Sequence, residues 1–423
     1  MDNKFKTYMN QRGWFVLFDD FEPPFYWLNE LKYKLIGIFV SLLAFPIVLL
    51  CLLYLFFETK LRFSKKCRML FGTHFIITLK LFAKELESTH DVTYFTFKDN
   101  GHVVPDLDVK TIENIAPSFI SRRFPLLLGR YFAFLWAIRN FDILHLYFDG
   151  GFLNRTIFWR FEPIIYQIFK KKLIMYSFGE DRTDFIRTHN LFHKVGLMGF
   201  NKTYFANDFI KIKRNYWWSK YANYVIGNTD YLIYLPKLDV LTFNMHILPY
   251  EQLVNKKINE KIKIVHFANH GIRKGSHIIE KALKTVCEET DLIEYEMIYN
   301  VSRDEVLEKM NTSHIVIEQV SNGFPSFTTF EALAKGNVVL TMIDESLMSL
   351  YQFLIPEYYE DFFQQPYVIN TNMNNLKEDI LKVINNKQTL EETLKATHEY
   401  AYRRINDNIE AYRAIINKVI NKD

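Results

Sequence analysis

Two stretches in the C-terminal half carry residue types whose order and spacing suit the handling of a phosphorylated, hydroxyl-rich ligand. In residues 317–340 (IEQVSNGFPSFTTFEALAKGNVVL) a strand-like run ends in a carboxylate, Glu318. A loop with Gly323 follows, and a helix starts near Ser326 with Thr328 and Thr329 in its first turn. The amides of a helix start have no partner within the helix and attract anions, so a diphosphate could sit there without a metal. Glu331 lies about one turn further in, where a carboxylate accepts hydrogen bonds from two adjacent sugar hydroxyls, the way a ribose is gripped. A capped surface helix with a solvated glutamate would read the same in isolation. The second stretch, residues 266–279 (HFANHGIRKGSHII), is again strand, glycine loop and helix. Gly271 and Gly275 let the backbone come close to a ligand, and Arg273 and Lys274 can neutralise charge developing on a departing nucleotide. Taken alone, an Arg-Lys pair in a loop is ordinarily solvated surface.

These side chains need a frame, and hydrophobic periodicity supplies one. In the N-terminal half, strand patterns at 68–72, 91–97, 143–148 and 173–178 alternate with helical patterns at 75–87, 122–139 and 158–172. A stretch rich in Tyr, Trp and Lys follows (190–250), with strand-like pieces at 221–227 and 245–250, and the charged segment 254–263 reads as a linker. Beyond it, strands at 263–268, 293–299, 314–319 and 338–342 alternate with helices at 276–286, 303–310 and 327–335, before a long helical tail at 389–420. Strands alternating with helices imply parallel sheets covered on both faces, so the expected fold is α/β with two doubly wound, Rossmann-like domains.

Composition narrows the function classes. Lys+Arg exceeds Asp+Glu by only 52 to 48, with the charges spread along the chain, which argues against a nucleic-acid partner. Cys51, Cys67 and Cys287 lie too far apart for a CxxC pair, so neither a disulfide framework nor a zinc site is expected. Residues 35–57 carry no charge and as a helix would extend roughly 35 Å, enough to cross a bilayer. Lys60, Arg62, Lys65, Lys66 and Arg68 follow this run closely and only Lys32 and Lys34 precede it closely, which places the C-terminal part in the cytoplasm. Pro46, mid-run, leaves a kinked span and a re-entrant hairpin both open. Basic residues interleaved with aromatics (122–139 and 158–172, with Lys170, Lys171 and Lys172) suit a membrane surface.

Together the two C-terminal stretches resemble the donor-binding domain of group 1 GT-B glycosyltransferases, a family that includes the glycosyltransferase family 4-like enzymes. Arg273-Lys274-Gly275 is similar to its basic loop after the first strand of the domain. Glu318-Gln319 resembles its acidic-Gln pair, and Glu331-Ala332-Leu333-Ala334-Lys335-Gly336 resembles its E-A-hydrophobic-A-x-G helix. In the N-terminal half Phe141 to His145 looks like the family's D-hydrophobic-hydrophobic-H strand, and Ser177 to Arg182 like its G-x-D-hydrophobic-R loop. The resemblance covers roughly residues 66–415. It implies an acceptor domain (66–250), a donor domain (260–400) and a C-terminal helix packed back across both (401–423), to which the uncharged run adds a juxtamembrane segment (1–34) and an anchor (35–57).

The resemblance further implies a nucleotide sugar as substrate, no cofactor and no metal, and transfer with retention of the anomeric configuration. The diphosphate would lie against Arg273, Lys274 and the helix start at 326–329, and the ribose on Glu331. His145, Asp181 and Glu318 are the implied catalytic or hydroxyl-orienting groups, with Gly72 and Thr73 on the acceptor side. Many members carry an earlier glutamate where this chain has Gly323, so Glu318 is the candidate to make that sugar-side contact. With the apolar segment, a lipid-linked or membrane-bound glycan acceptor is the expected partner. A noncatalytic, membrane-tethered relative of the same fold is the competing reading. A dinucleotide oxidoreductase is disfavoured because no GxGxxG follows the first strand of either domain.

Overall fold

The computed structural model describes residues 26–61, 67–74, 76–97, 107–154, 156–200, 207–241 and 256–421. The first domain is built on β1 (Arg68–Thr73), β2 (Asp91–Thr96), β3 (Val109–Lys110), β4 (Ile143–Tyr147), β5 (Lys172–Tyr176), β6 (Tyr224–Gly227) and β7 (Val240–Leu241). The strands line up in the order β3-β2-β1-β4-β5-β6-β7, every pairing parallel. Central strands covered on both faces must be apolar throughout, and all five residues of β4 are buried. The second domain holds β8 (Ile262–Ala268), β9 (Ile293–Tyr299), β10 (Ile315–Gln319), β11 (Val338–Thr341) and β12 (Val368–Asn370), in the order β12-β11-β10-β8-β9, again all parallel. Its helix Ser276–Glu289 buries Ile279, Leu283 and Val286, one stripe at helical spacing.

The helix Lys387–Asn421 belongs to both cores. Leu390 and Leu394 pack beneath the second sheet, whereas Ile405, Tyr412, Ile416 and Val419 enter the first domain's core, where Tyr412 lies 4.3 Å from the Phe82 ring. The two domains are therefore tied by a continuous helix as well as by the linker.

Several elements differ from the sequence expectation. The basic 122–139 stretch forms two helices, Ser118–Arg123 and Gly129–Asn140, and the Tyr/Trp/Lys-rich region yields the helices Leu191–Phe200 and Asp208–Tyr221. β3, β7 and β12 are too short to leave a periodic signal, and the strand expected at 245–250 lies outside the described residues. The N-terminal helix runs unbroken over Tyr26–Leu61 with Pro46 inside it, so the re-entrant hairpin does not form. Its residues Lys34–Glu58 are long and apolar enough to cross a membrane, with a mean hydropathy of 2.9.

Candidate active site

The C-terminal edges of both sheets face a cleft of about 1180 Å³, lined from the ends of β1, β2, β4, β5, β6, β8, β9 and β10 and the loops that follow them. In parallel α/β sheets this edge is where ligands bind, because helix starts and loop amides gather there. Lys274, Arg273, Ser326, Thr328 and Glu331 all line it, so the two sequence stretches converge on one space.

The loop after β8 folds as one short turn, Gly271–Lys274, joined to the next helix by Gly275 at φ +72°. A Cβ at Gly275 would lie 2.6 Å from Val320 Cγ2, so only glycine fits the left-handed joint that carries Lys274 to the cleft. The Lys274 ammonium stands 3.5 Å from the Thr328 hydroxyl at the start of the helix Phe327–Ala334. Burial holds its pKa below the usual lysine value, while attraction to Glu318 and Glu331 opposes that shift. Arg273 reaches across the cleft instead, donating to Glu180 in the loop after β5 at 3.3 Å. It thus clips the second domain to the first.

Glu331 is nearly fully buried, and the Arg303 Nε donates to its carboxylate at 2.7 Å. Burial raises the Glu331 pKa and Arg303 works against that rise. Arg303, at the start of the helix after β9, was not legible as a site residue, since an arginine opening a charged helix looks like solvated surface.

Glu318 takes a different role from the sugar contact expected of it. Its carboxylate is fully buried, is absent from the cleft lining, and accepts from the Ser326 amide and hydroxyl and from the hydroxyls of Thr329 and Thr341. It pins the helix start from beneath. The anion site is correspondingly narrower than four residues: the Ser326 amide serves Glu318, the Thr329 amide serves the Ser326 carbonyl, and Thr329 is wholly buried. Gly271, Gly275 and Gly323 likewise shape the loops without lining the cleft.

On the other wall, His145 lies in the core, outside the cleft lining and not at the strand end expected of a group that meets substrate. It pairs in register with Phe71 and Ile174 in mid-sheet, stacks on the Phe71 ring at 5.0 Å, and has no hydrogen-bond partner on either ring nitrogen. Burial lowers its pKa to about 3, so it is neutral at physiological pH. Asp181 does line the cleft, yet its oxygens accept from the amides of Phe148, Phe178 and Gly179 and from the Ser177 hydroxyl. It organises two strand-end loops, with little capacity left for a substrate. Thr73 faces the cleft; Gly72 does not, and a Cβ there would lie 2.0 Å from the Phe95 carbonyl oxygen.

A carboxylate missed in the sequence, Asp149, stands at this wall. It follows β4, accepts from the Thr73 hydroxyl at 3.2 Å and the Gly151 amide at 3.3 Å, and its backbone carbonyl accepts from Arg214 at 3.0 Å. Burial raises its pKa, offset by His74 and Arg214. Of the other acids here, Glu180 is held by Arg273, and Asp230 is bound to Arg182, whose guanidinium lies 4.0 Å from the Tyr231 ring centroid. Asp149 is therefore the acid on this wall with capacity to spare, its carboxylate accepting from two donors where that of Asp181 accepts from four. Its sequence signal was an aspartate at a strand end followed by two glycines.

Two parallel-sheet α/β domains opposed across a cleft, with a C-terminal helix shared between them, make the GT-B fold. No family model matches the sequence, and no curated protein is significantly similar to it. Among solved structures the chain is similar to TarM, at 10% identity over 85% of this chain and 99% of that one, with a TM-score of 0.54. It is also similar to the sucrose-phosphate synthase of Thermosynechococcus elongatus, at 12% identity over 84% of this chain and 99% of that one, with a TM-score of 0.53. At such identities the likeness is one of fold, and the chemistry rests on the residues above.

Proposed function

We propose that the protein is a glycosyltransferase that moves a sugar from a nucleotide-sugar donor to a membrane-bound or lipid-linked glycan at the cytoplasmic face. The observation that carries this reading is the convergence of Lys274, the Ser326–Thr328 helix start and the Arg303-braced Glu331 on one interdomain cleft. The donor diphosphate lies against Lys274 and the helix start, where a fixed cation and amides stabilise the leaving group without rearrangement. The ribose hydroxyls donate to Glu331, whose carboxylate Arg303 orients and favours in its ionised form against the effect of burial. The sugar then projects toward the opposite wall, where Asp149 and Thr73 orient the acceptor hydroxyl. The resemblance in sequence carries retention of configuration; Asp149 acting as a base would instead give inversion, and the anomer of the product, read by proton NMR, decides between them. A noncatalytic tether would gain nothing from a cation set beside an Arg-braced carboxylate in a cleft.

The test is transfer from a panel of labelled nucleotide sugars to membrane lipid extract by the full chain. Labelled glycolipid from at least one donor, lost in Lys274→Met, is expected. No transfer and no nucleotide-dependent stabilisation with any donor would overturn the proposal.

A further inference from the structure

The apolar N-terminal helix does not stand away from the domain. Ser41, Ala44, Val48, Leu52 and Leu55, spaced at threes and fours, form one stripe that packs into or against the first domain's core or bonds to it. The Tyr131 hydroxyl donates to Ser41 at 2.8 Å, Phe45 stacks on Phe158 at 5.3 Å, Phe56 meets Phe169 at 6.0 Å, and Arg139 pairs with Glu58 at 3.1 Å. The contact thus extends over residues 41–58, about 26 Å of helix. The partner helix Gly129–Asn140 leads into β4, so Tyr131 lies toward the cleft edge of the sheet and Arg139 toward the opposite edge. The apolar helix therefore runs alongside the domain from one edge to the other.

The faces away from that stripe are bare. Ile36, Leu43, Leu50 and Phe57, seven residues apart on one side, are 38–67% exposed. An apolar surface of this size requires a cover that is not water. A helix apolar all round fits a transmembrane span, and it fits equally a helix held between a protein face and acyl chains. Lateral contact separates the two. A perpendicular span would draw the domain surface beside residues 41–58, including exposed Arg160, two residues from the Phe158 that stacks on mid-helix Phe45, through most of a hydrocarbon layer about 30 Å thick. With the helix lying along the surface, that penalty disappears. The exposed apolar residues Phe161 and Ile168 then flank it, and the exposed cations Arg160 and Lys170 lie beside the ring contacts, at headgroup level.

We infer that the helix Tyr26–Leu61 lies in the plane of one leaflet as a monotopic membrane seat, with both of its ends on the same side of the bilayer. The cleft lining includes Leu126 and Arg130, and the next residue, Tyr131, is bonded to the helix. The cleft mouth accordingly opens at the leaflet surface, and an amphipathic acceptor reaches it laterally from that leaflet. This rests on the helix being membrane-associated, and the experiment keeps the two claims apart.

Flotation of the full chain with anionic liposomes tests association; failure to float would overturn the membrane reading and this inference with it. Topology is tested in a background of Cys51→Ala, Cys67→Ala and Cys287→Ala carrying Lys32→Cys or Lys170→Cys, in sealed vesicles with the cytoplasmic face outward. A membrane-impermeant maleimide should label both sites equally before permeabilisation. Nitroxides at Ile36→Cys, Leu43→Cys, Leu50→Cys and Phe57→Cys should report one uniform shallow depth. Floating protein with Lys32→Cys protected until permeabilisation, or a depth maximum at the middle sites, would show a span and overturn the inference alone. If the cysteine-free background does not fold, removal of an N-terminal epitope from the otherwise native chain by external protease supports the inference, and protection of the epitope overturns it.

Discussion

Replacing Lys274 with methionine removes a single charge from the cleft while keeping the length and bulk of the side chain. The ammonium sits 3.5 Å from the Thr328 hydroxyl and is attracted by Glu318 and Glu331 without forming an ion pair among the described residues, so a donor phosphate would meet a cation with no direct counter-ion. A unit pair at about 4 Å with an effective dielectric of about 20 attracts by about 4 kcal/mol. Desolvation of the phosphate cancels part of this, and loss of one preorganised donor to a leaving group ordinarily costs about 3 kcal/mol, a factor of about 100 in turnover. Lys274→Met should therefore lower kcat/KM for the donor about 100-fold. Its melting temperature should hold or rise slightly, because the variant no longer buries a charge. Because burial sets the lysine pKa below its ordinary value, wild-type turnover should also decline with rising alkalinity earlier than a free lysine would dictate. The assay is initial-rate nucleotide release and glycolipid formation across pH, beside thermal melts. A kcat/KM within threefold of wild type in a folded variant would refute the placement of the diphosphate.

Three further outcomes follow from the same geometry. Glu331→Ala should weaken nucleotide binding at least tenfold by calorimetry, and binding to the wild type should fail on acidification at a higher pH than an ordinary glutamate would allow, because burial raises this carboxyl and only its ionised form accepts both ribose hydroxyls. His145→Phe should keep turnover within about threefold. Since the histidine titrates at about 3 when folded against 6.5 unfolded, the unfolded chain binds more protons between those values and stability falls as pH drops through them; the variant should recover about 2 kcal/mol of that loss at pH 5, read from denaturant unfolding at pH 7 and pH 5. Glu318→Ala should destabilise the second domain by about 3 kcal/mol by freeing the buried hydroxyls of Thr329 and Thr341, whereas direct loss of turnover without loss of stability would restore it to the catalytic set.

The donor half of the site was readable because strand, loop and helix recur twice with chemistry at fixed offsets. Lys274 and Glu331 come together because β8 and β10 are neighbours in the sheet, and doubly wound topology makes that adjacency the expected one. The acceptor half was less readable. A histidine in an apolar run looks alike in mid-strand and at a strand end, and only the register of β4 with β1 and β5 places His145 in the core. Glu318 is one residue from the end of β10, and which way it faces depends on a shift in the β10–β11 register that no periodicity reveals. Asp149 gains its position from a strand end fixed by long-range pairing, and Arg303 gains its partner from another strand's loop. Hydropathy marked the N-terminal helix but carried no information on which stripe would meet protein.

A crystal structure of the full chain soaked with whichever nucleoside diphosphate raises its melting temperature most tests the central claim directly. The diphosphate oxygens should lie within hydrogen-bond reach of the Lys274 ammonium and the Thr328 hydroxyl, with both ribose hydroxyls on the Glu331 carboxylate. A nucleotide bound elsewhere, leaving Lys274 and Glu331 untouched, would contradict the account.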